Sequence, residues 1–194
     1  MENYYDKYYK QFIESTINLD MSSFYERFLK YIKNKDACIL DLGCGPGRDL
    51  LFFKKKGYRV LGIDNSEKLI EFAKKYSKAD ALVMDFREMD FTEEFDAIWA
   101  SASLLHLKKH EITSILKSCY KALKKDGIMY ASFKYGDFNG LINGRYFAFM
   151  TEDSLKNDFL KDIKKFKLQE IWKSKDLRKN KDDMYWLNAI FKKD

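Results

Sequence analysis

The chain has 194 residues, 46% hydrophobic and 16% aromatic; that suffices for one domain with a full core and excludes a disordered chain. No apolar run approaches membrane-spanning length, Met1-Glu-Asn-Tyr-Tyr does not read as a signal peptide, and three cysteines without a C-x-x-C pair exclude a disulfide framework, so a cytoplasmic protein is expected. The net charge of +6 raises nucleic acid as a partner, but the basic residues are overwhelmingly lysine and mix with acids, as on solvated faces.

Residues 2–33 read as helical, with a break near Ile17–Asp20. Tyr5, Tyr8, Tyr9, Phe12 and Ile13 share one face, and Phe24, Phe28, Leu29 and Ile32 form a second. Plain packing accounts for most of these rings. The functional alternative is a lid helix, with Tyr5, Tyr9 and Phe12 closing over a ligand. Next comes C-I-L-D-L-G-C-G-P-G-R-D, Cys38 to Asp49. Ile39, Leu40 and Leu42 suit a buried strand, and glycines 43, 45 and 47 let the chain turn and a ligand approach the backbone. Leu50, Leu51 and Phe53 resume at helical spacing, so the stretch is strand, glycine loop, helix. Lys54–Lys56 suit the helix C-terminus, with Gly57 as its cap.

Tyr58–Asp64 reads as a second strand, and Ser66 can cap the following helix, which turns Leu69, Ile70, Ala73 and Tyr76 inward. Ala81–Met84 and Phe95–Ala100 read as strands three and four. A helix over 108–124 carries Ile112, Ile115, Leu116, Cys119 and Leu123, with Gly127 as its stop, and Ile128–Tyr135 is a fifth strand. Thr151 caps a short helix with Glu152 and Asp153 in its first turn. Phe166–Trp172 and Met184–Phe191 alternate without a convincing helix between them, as in an antiparallel pair at a sheet edge. Strand–helix alternation predicts an α/β fold, a doubly wound, mostly parallel sheet. Without repeats or linkers, 1–194 is one domain: a helical lid (1–33), a cofactor-binding core (36–135), and an acceptor loop, helix and edge hairpin (136–194).

In such a sheet, ligands sit at the carboxyl ends of the strands. Asp41, Asp64, Asp85 and Ser101 end four of them. Asp64 lies about 20 residues past the glycine turn, where an acid accepts hydrogen bonds from a ribose diol. Asp85-Phe86 lies where an adenine would be read. The loop is G-x-G-x-G rather than G-x-G-x-x-G, and no G-K-[ST] follows. Asp41 repels phosphate and attracts an ammonium group, so an adenosine carrying an amino acid fits better than one carrying phosphates.

These residues, with Phe95–Leu107 and Leu123–Lys134, resemble the motif series of class I S-adenosylmethionine-dependent methyltransferases. The resemblance implies a Rossmann-like three-layer sandwich, a seven-stranded sheet with a C-terminal antiparallel hairpin. It implies that Asp41 and Gly43–Gly47, with Cys44, Gly45 and Arg48, face the methionine moiety. Asp64 and Asn65 would serve the ribose, Asp85 and Phe86 the adenine, and Ala100 and Ser101 the amino acid end. The S-L-L-H-L, S-F-K-Y-G and G-R-Y-F runs resemble small bacterial methyltransferases loosely grouped with tellurite-resistance proteins.

A sulfonium donor carries its own leaving group, so the protein mainly positions an acceptor. A base helps only a protonated acceptor. His106 is the candidate base or positioner, the alternative being a histidine that packs and holds its loop. His110 reads as surface. In the glycine-bearing segment 132–149, Lys134, Arg145 and Tyr146 are candidate acceptor residues; the alternative for the charges is a solvated connector. Asp96 reads as a backbone tie, and Cys44 as a packed thiol. The N/D-P-P-[YFW] loop and the Pro-Cys pair of base and glutamine methylation are missing, and no metal cluster is evident. The expected function is methyl transfer to a small oxygen, nitrogen or chalcogen nucleophile by a monomer or homodimer without membrane association. The alternatives are an RNA (tRNA) methyltransferase and a non-catalytic S-adenosylmethionine-binding regulatory module.

Overall fold

At the centre of the sheet is the apolar run of β1 (Cys38–Leu42), whose Ile39, Leu40 and Leu42 are fully buried. The structure, a computed structural model, describes residues 4–160, 163, 166–179, 181 and 183–194; residues 2 and 3 of the expected first helix lie outside them. β1 pairs in parallel with β2 (Arg59–Asp64) and β4 (Phe95–Ala100); β2 pairs with β3 (Asp80–Val83), and β4 with β5 (Leu123–Lys134). The C-terminal strands β8 (Phe166–Lys175) and β9 (Tyr185–Lys193) form the expected antiparallel hairpin. β9 lies between β5 and β8, giving seven strands in the order β3-β2-β1-β4-β5-β9-β8. Only β9 runs against the rest.

Side chains of successive strand residues alternate between two covered faces, as expected where helices cover both. Ile39, Ala97, Trp99, Ile128, Tyr130 and Ile190 meet Phe24, Tyr25 and Phe28 of α3 (Ser22–Leu29) and Phe53 of α4 (Arg48–Lys55). Leu40, Leu42, Ile98, Met129 and Ala131 share the opposite cluster with Ile112, Ile115, Leu116 and Cys119 of α6 (Lys109–Ala122). The helix α5 (Glu67–Ser77) starts where expected, Ser66 Oγ accepting from the Leu69 N–H, and it packs on α4. The mostly parallel α/β sandwich expected from the sequence is the fold of the chain.

Three expectations change. The N-terminal stretch breaks into α1 (Tyr4–Lys7), α2 (Tyr9–Thr16) and α3, and α3 is core rather than lid. The helix before β5 ends at Ala122, not at Gly127, because Leu123 swings to ψ 140° and pairs with Phe95. Segment 132–149 is no loop: β6 (Asn139–Ile142) and β7 (Arg145–Ala148) form a hairpin of their own. Asn143 and Gly144 both take positive φ, 50° and 77°, the two-residue turn that Asn-Gly favours. Beyond it, Thr151 caps α7 (Glu152–Ser154), which continues into a π-helical turn over Leu155–Phe159.

Candidate active site

The carboxyl ends of β1, β2, β4 and β5 open into a cleft enclosing about 1380 Å³ with the space at its mouth. Its floor is the glycine loop: Gly43, Cys44, Gly45 and Pro46 line it, with Phe86 and Ser101–Ser103 opposite and Phe12 of α2 above. Gly43 holds φ +80°, and a Cβ there would lie 2.4 Å from the Ser103 Cβ. Only glycine leaves the main chain bare at that point.

Asp64 organises the loop. Its Oδ2 accepts from the Gly45 N–H at 3.0 Å and its Oδ1 from the Ser66 N–H at 3.0 Å. Burial raises its carboxyl, against the pull of these bonds. The Asn65 N–H adds a third bond, and three donors still do not saturate a carboxylate, which has about four lone-pair sites. α1 is latched to the same corner: Asp6 Oδ1 accepts from Ser66 Oγ at 2.6 Å and from the Lys68 N–H at 3.1 Å.

Beside the loop lies a buried ion pair. Arg48 donates Nε and Nη2 to Asp49 at 2.6 and 2.9 Å and Nη1 to the Thr16 carbonyl at 3.1 Å. Asp49 also accepts from the Tyr25 hydroxyl and, at 2.8 Å, from Trp99 Nε1. These donors hold its carboxyl below the usual range despite burial. Asp41, in the same region, is raised well above that range, chiefly by burial and then by Asp49. Its Oδ2 is buried without a partner.

At the acceptor end, a directed chain of hydrogen bonds runs through His106, which sits in a 3-10 turn after β4. Arg145 Nη1 donates to the Tyr5 hydroxyl at 3.2 Å; Tyr5 Oη and His106 Nε2 are 2.7 Å apart; His106 Nδ1 lies 3.0 Å from the Tyr146 carbonyl. A carbonyl only accepts, so His106 carries its proton on Nδ1 and Nε2 accepts from Tyr5. Burial, with the Arg145 and Lys134 charges, lowers the imidazole to about 4. It is therefore neutral at pH 7, with Nε2 unprotonated and a weaker base than an ordinary imidazole.

Of the residues expected to serve the cofactor, the structure brings Gly43, Cys44, Gly45, Arg48, Asp64, Asn65, Phe86 and Ser101 to the cleft wall. Asp41, Gly47, Ala100 and Asp85 are not on it. Asp41 and Ala100 lie within strands under the floor. Asp85 is bound by the Arg87 side chain through two bonds of 2.8 and 2.5 Å and by its N–H at 2.9 Å, which takes up most of its acceptor sites. Of the expected acceptor residues, Tyr5, Phe12, Lys134, Arg145 and His106 line the cleft. Tyr9 and Tyr146 do not: the Lys10 and Lys68 ammoniums lie over the Tyr9 ring, and the Tyr146 hydroxyl donates to Asn139. Lys134 is half-buried over Phe147 rather than solvated. The thiol of Cys44 is pushed up by burial and Asp41, Asp96 accepts from the Cys38 N–H, and His110 is exposed, all as expected. Among the described residues no cluster of three or more metal-ligating side chains occurs, and no helix is long and apolar enough to cross a membrane.

Sequence reading missed the far wall, formed by Ser174–Arg178, Trp186 and Asn188 of the C-terminal hairpin. No local pattern marks them; pairing of β9 with β5 brings them there. It also missed Asp49, whose signal is an acid in the first turn of α4 beside an arginine.

Comparison with known proteins follows the geometry. Residues 39–127 match a methyltransferase domain. YqeM of Bacillus subtilis, assigned as a methyltransferase, is 34% identical over 127 residues, 58% of this chain and 51% of its own. The chain spans about half the length of the first curated relatives it matches. The structure of Burkholderia thailandensis 1,6-didemethyltoxoflavin-N1-methyltransferase, with 1,6-didemethyltoxoflavin and S-adenosylhomocysteine bound, superposes with a TM-score of 0.76 at 19% identity, covering 96% of this chain and 84% of that one. TehB from Haemophilus influenzae gives 0.74 at 19%, covering 97% and 67%. Residues 39–127 are therefore similar to a methyltransferase domain, and the chain as a whole has the Rossmann-like fold seen in both of these solved structures.

Proposed function

We propose that the chain transfers a methyl group from S-adenosylmethionine to a small-molecule nucleophile. The observation that carries this reading is the joint lining of one roofed cleft. A bare glycine loop tied to Asp64 lies at one end, and the Tyr5–His106 pair lies at the other. The residues fit the donor. Asp64 has acceptor capacity left for ribose hydroxyls, Phe86 offers a ring face for adenine, and the glycine loop leaves room for the amino acid end. Asp64, a buried acid on the wall, favours a cation nearby. When bound, the donor supplies an activated methyl group and its own leaving group.

The chain's residues position and deprotonate the acceptor. Tyr5 of α1 and Phe12 of α2 cover part of the cleft, which supports a small acceptor over a folded RNA. A protonated nucleophile meeting the Tyr5 hydroxyl can pass its proton there as Tyr5 passes its own to His106 Nε2. The Burkholderia neighbour, described with both S-adenosylhomocysteine and the small molecule 1,6-didemethyltoxoflavin bound, supports this reading.

Calorimetric titration with S-adenosylhomocysteine tests the donor reading: saturable binding is expected, weakened at least tenfold in Asp64→Ala. Methyl-labelled donor, offered with a small-metabolite pool or total tRNA, tests the acceptor. Label should enter the small-molecule fraction. Absence of binding overturns the whole reading, and label confined to tRNA overturns the acceptor class.

A further inference from the structure

The acceptor end of the cleft carries two cations without acid partners. Arg145 opens β7 and Lys134 closes β5, and both line the cleft. The guanidinium carbon of Arg145 lies 4.6 Å from the Tyr4 ring centre and 4.9 Å from that of Phe147. One of its nitrogens donates to Tyr5, and its Nε is buried without a partner. The Lys134 ammonium lies 4.5 Å from the Phe147 centre and 5.4 Å from that of Phe149. Among the described residues neither forms a salt bridge. The acid of this wall, Asp176, is already committed: it takes two bonds from Arg178, at 2.9 and 2.5 Å, and one from Trp186 Nε1 at 3.0 Å.

Cations withdrawn from water without a counter-charge are costly. Ring faces compensate only in part. The bland account is that these contacts merely hold the lid closed. It explains the rings, but not why a half-buried ammonium and a guanidinium with an orphaned nitrogen share one aromatic ring on the wall of a cavity. Burial and the neighbouring Arg178 and Arg145 charges depress the Lys134 ammonium to about 8, against the weaker upward pull of Asp176.

We propose that Arg145 and Lys134 form an anion site, and that the methyl acceptor is a small organic carboxylate on an apolar body. The inference rests on the methyl-transfer reading above. The guanidinium fork suits a carboxylate, and Lys134 adds a point charge. Phe12, Phe147 and Leu105 supply the apolar wall. Anchored there, the acceptor's nucleophilic atom lies beside Tyr5 and His106, with the donor beyond.

The test uses the full chain saturated with S-adenosylhomocysteine and titrated calorimetrically with benzoate, benzamide and inorganic phosphate. Benzoate should bind at least tenfold more tightly than benzamide. That preference should fall at least tenfold in both Arg145→Gln and Lys134→Met, while S-adenosylhomocysteine affinity stays within about threefold. Phosphate binding more tightly than benzoate overturns the carboxylate assignment. Equal binding of benzoate and benzamide, no binding of either at millimolar concentration, or benzoate affinity unchanged in both variants overturns the anion site. A tenfold loss of S-adenosylhomocysteine affinity in both variants assigns the cations to the donor's own carboxylate and also overturns it. Failure of the wild-type chain to bind S-adenosylhomocysteine instead defeats the methyl-transfer reading itself.

Discussion

His106 shows how one residue's surroundings set its chemistry. It is enclosed by Tyr5, Arg145, Lys134, Phe147 and the Tyr146 carbonyl, and the two cations add to burial in opposing a charged ring. The folded value is about 4, below the ordinary 6.5. The unfolded chain therefore takes up the proton first. The stabilising effect is present above pH 6.5 and is lost as pH falls from 6.5 to 4. A shift of this size is worth on the order of 3 kcal/mol. Urea unfolding at pH 7.5 and pH 4.5 should show a larger loss for the wild type than for His106→Gln, by about that amount. Equal losses would mean that His106 is not held neutral. The same burial makes it a base that is free of its proton at neutral pH, as the proposed reaction needs.

At the scale of elements, the roof of the cleft is held by few bonds. α1 and α2 are short and bury no residue fully. Their anchor is Asp6, which caps the start of α5 together with Ser66 and receives the Lys68 ammonium on its backbone carbonyl at 3.0 Å. Since Asp64 binds the Ser66 N–H, the roof and the ribose-side acid share one corner. Asp6→Ala removes acceptors worth about 1 kcal/mol. The outcome expected is faster amide exchange over residues 4–16 and S-adenosylhomocysteine affinity lowered about fivefold. Global stability should fall by no more than about 1 kcal/mol. Hydrogen exchange with and without the ligand measures it, and unaltered exchange in the variant would show that the Tyr5 bonds to His106 and Arg145, with the rings, suffice to hold α1.

At the scale of the whole molecule, the cleft exists only when distant parts of the chain meet. Tyr5, Phe12, Gly43, Ser101, Lys134, Asp176 and Asn188, from distant parts of the chain, all contribute to its wall. An unfolded chain has no such site, so ligand binding adds directly to folding stability. At a concentration 100 times its Kd, S-adenosylhomocysteine contributes about 2.7 kcal/mol. For a chain of this length that raises Tm by about 5–10 °C. Thermal scans against ligand concentration check this, and Gly43→Ala, whose Cβ would meet Ser103, should abolish most of the rise.

Local pattern by itself determined the strands of the parallel sheet, the capped helices and the glycine loop. There, hydrophobic period, turn residues and acids at strand ends act over a few residues and agree with one another. It placed Asp64 at a strand end, and Ser66 and Thr151 at helix starts. It also held the Asn143-Gly144 turn signal, read too loosely as part of a loop. Tertiary structure alone decided that Asp49 binds Tyr25 and Trp99, and that Arg145 and Lys134 flank one ring. The physical reason is separation along the chain. Tyr5 and Arg145 are 140 residues apart, and no local periodicity encodes a contact that only the closing of the sheet and the roof can make.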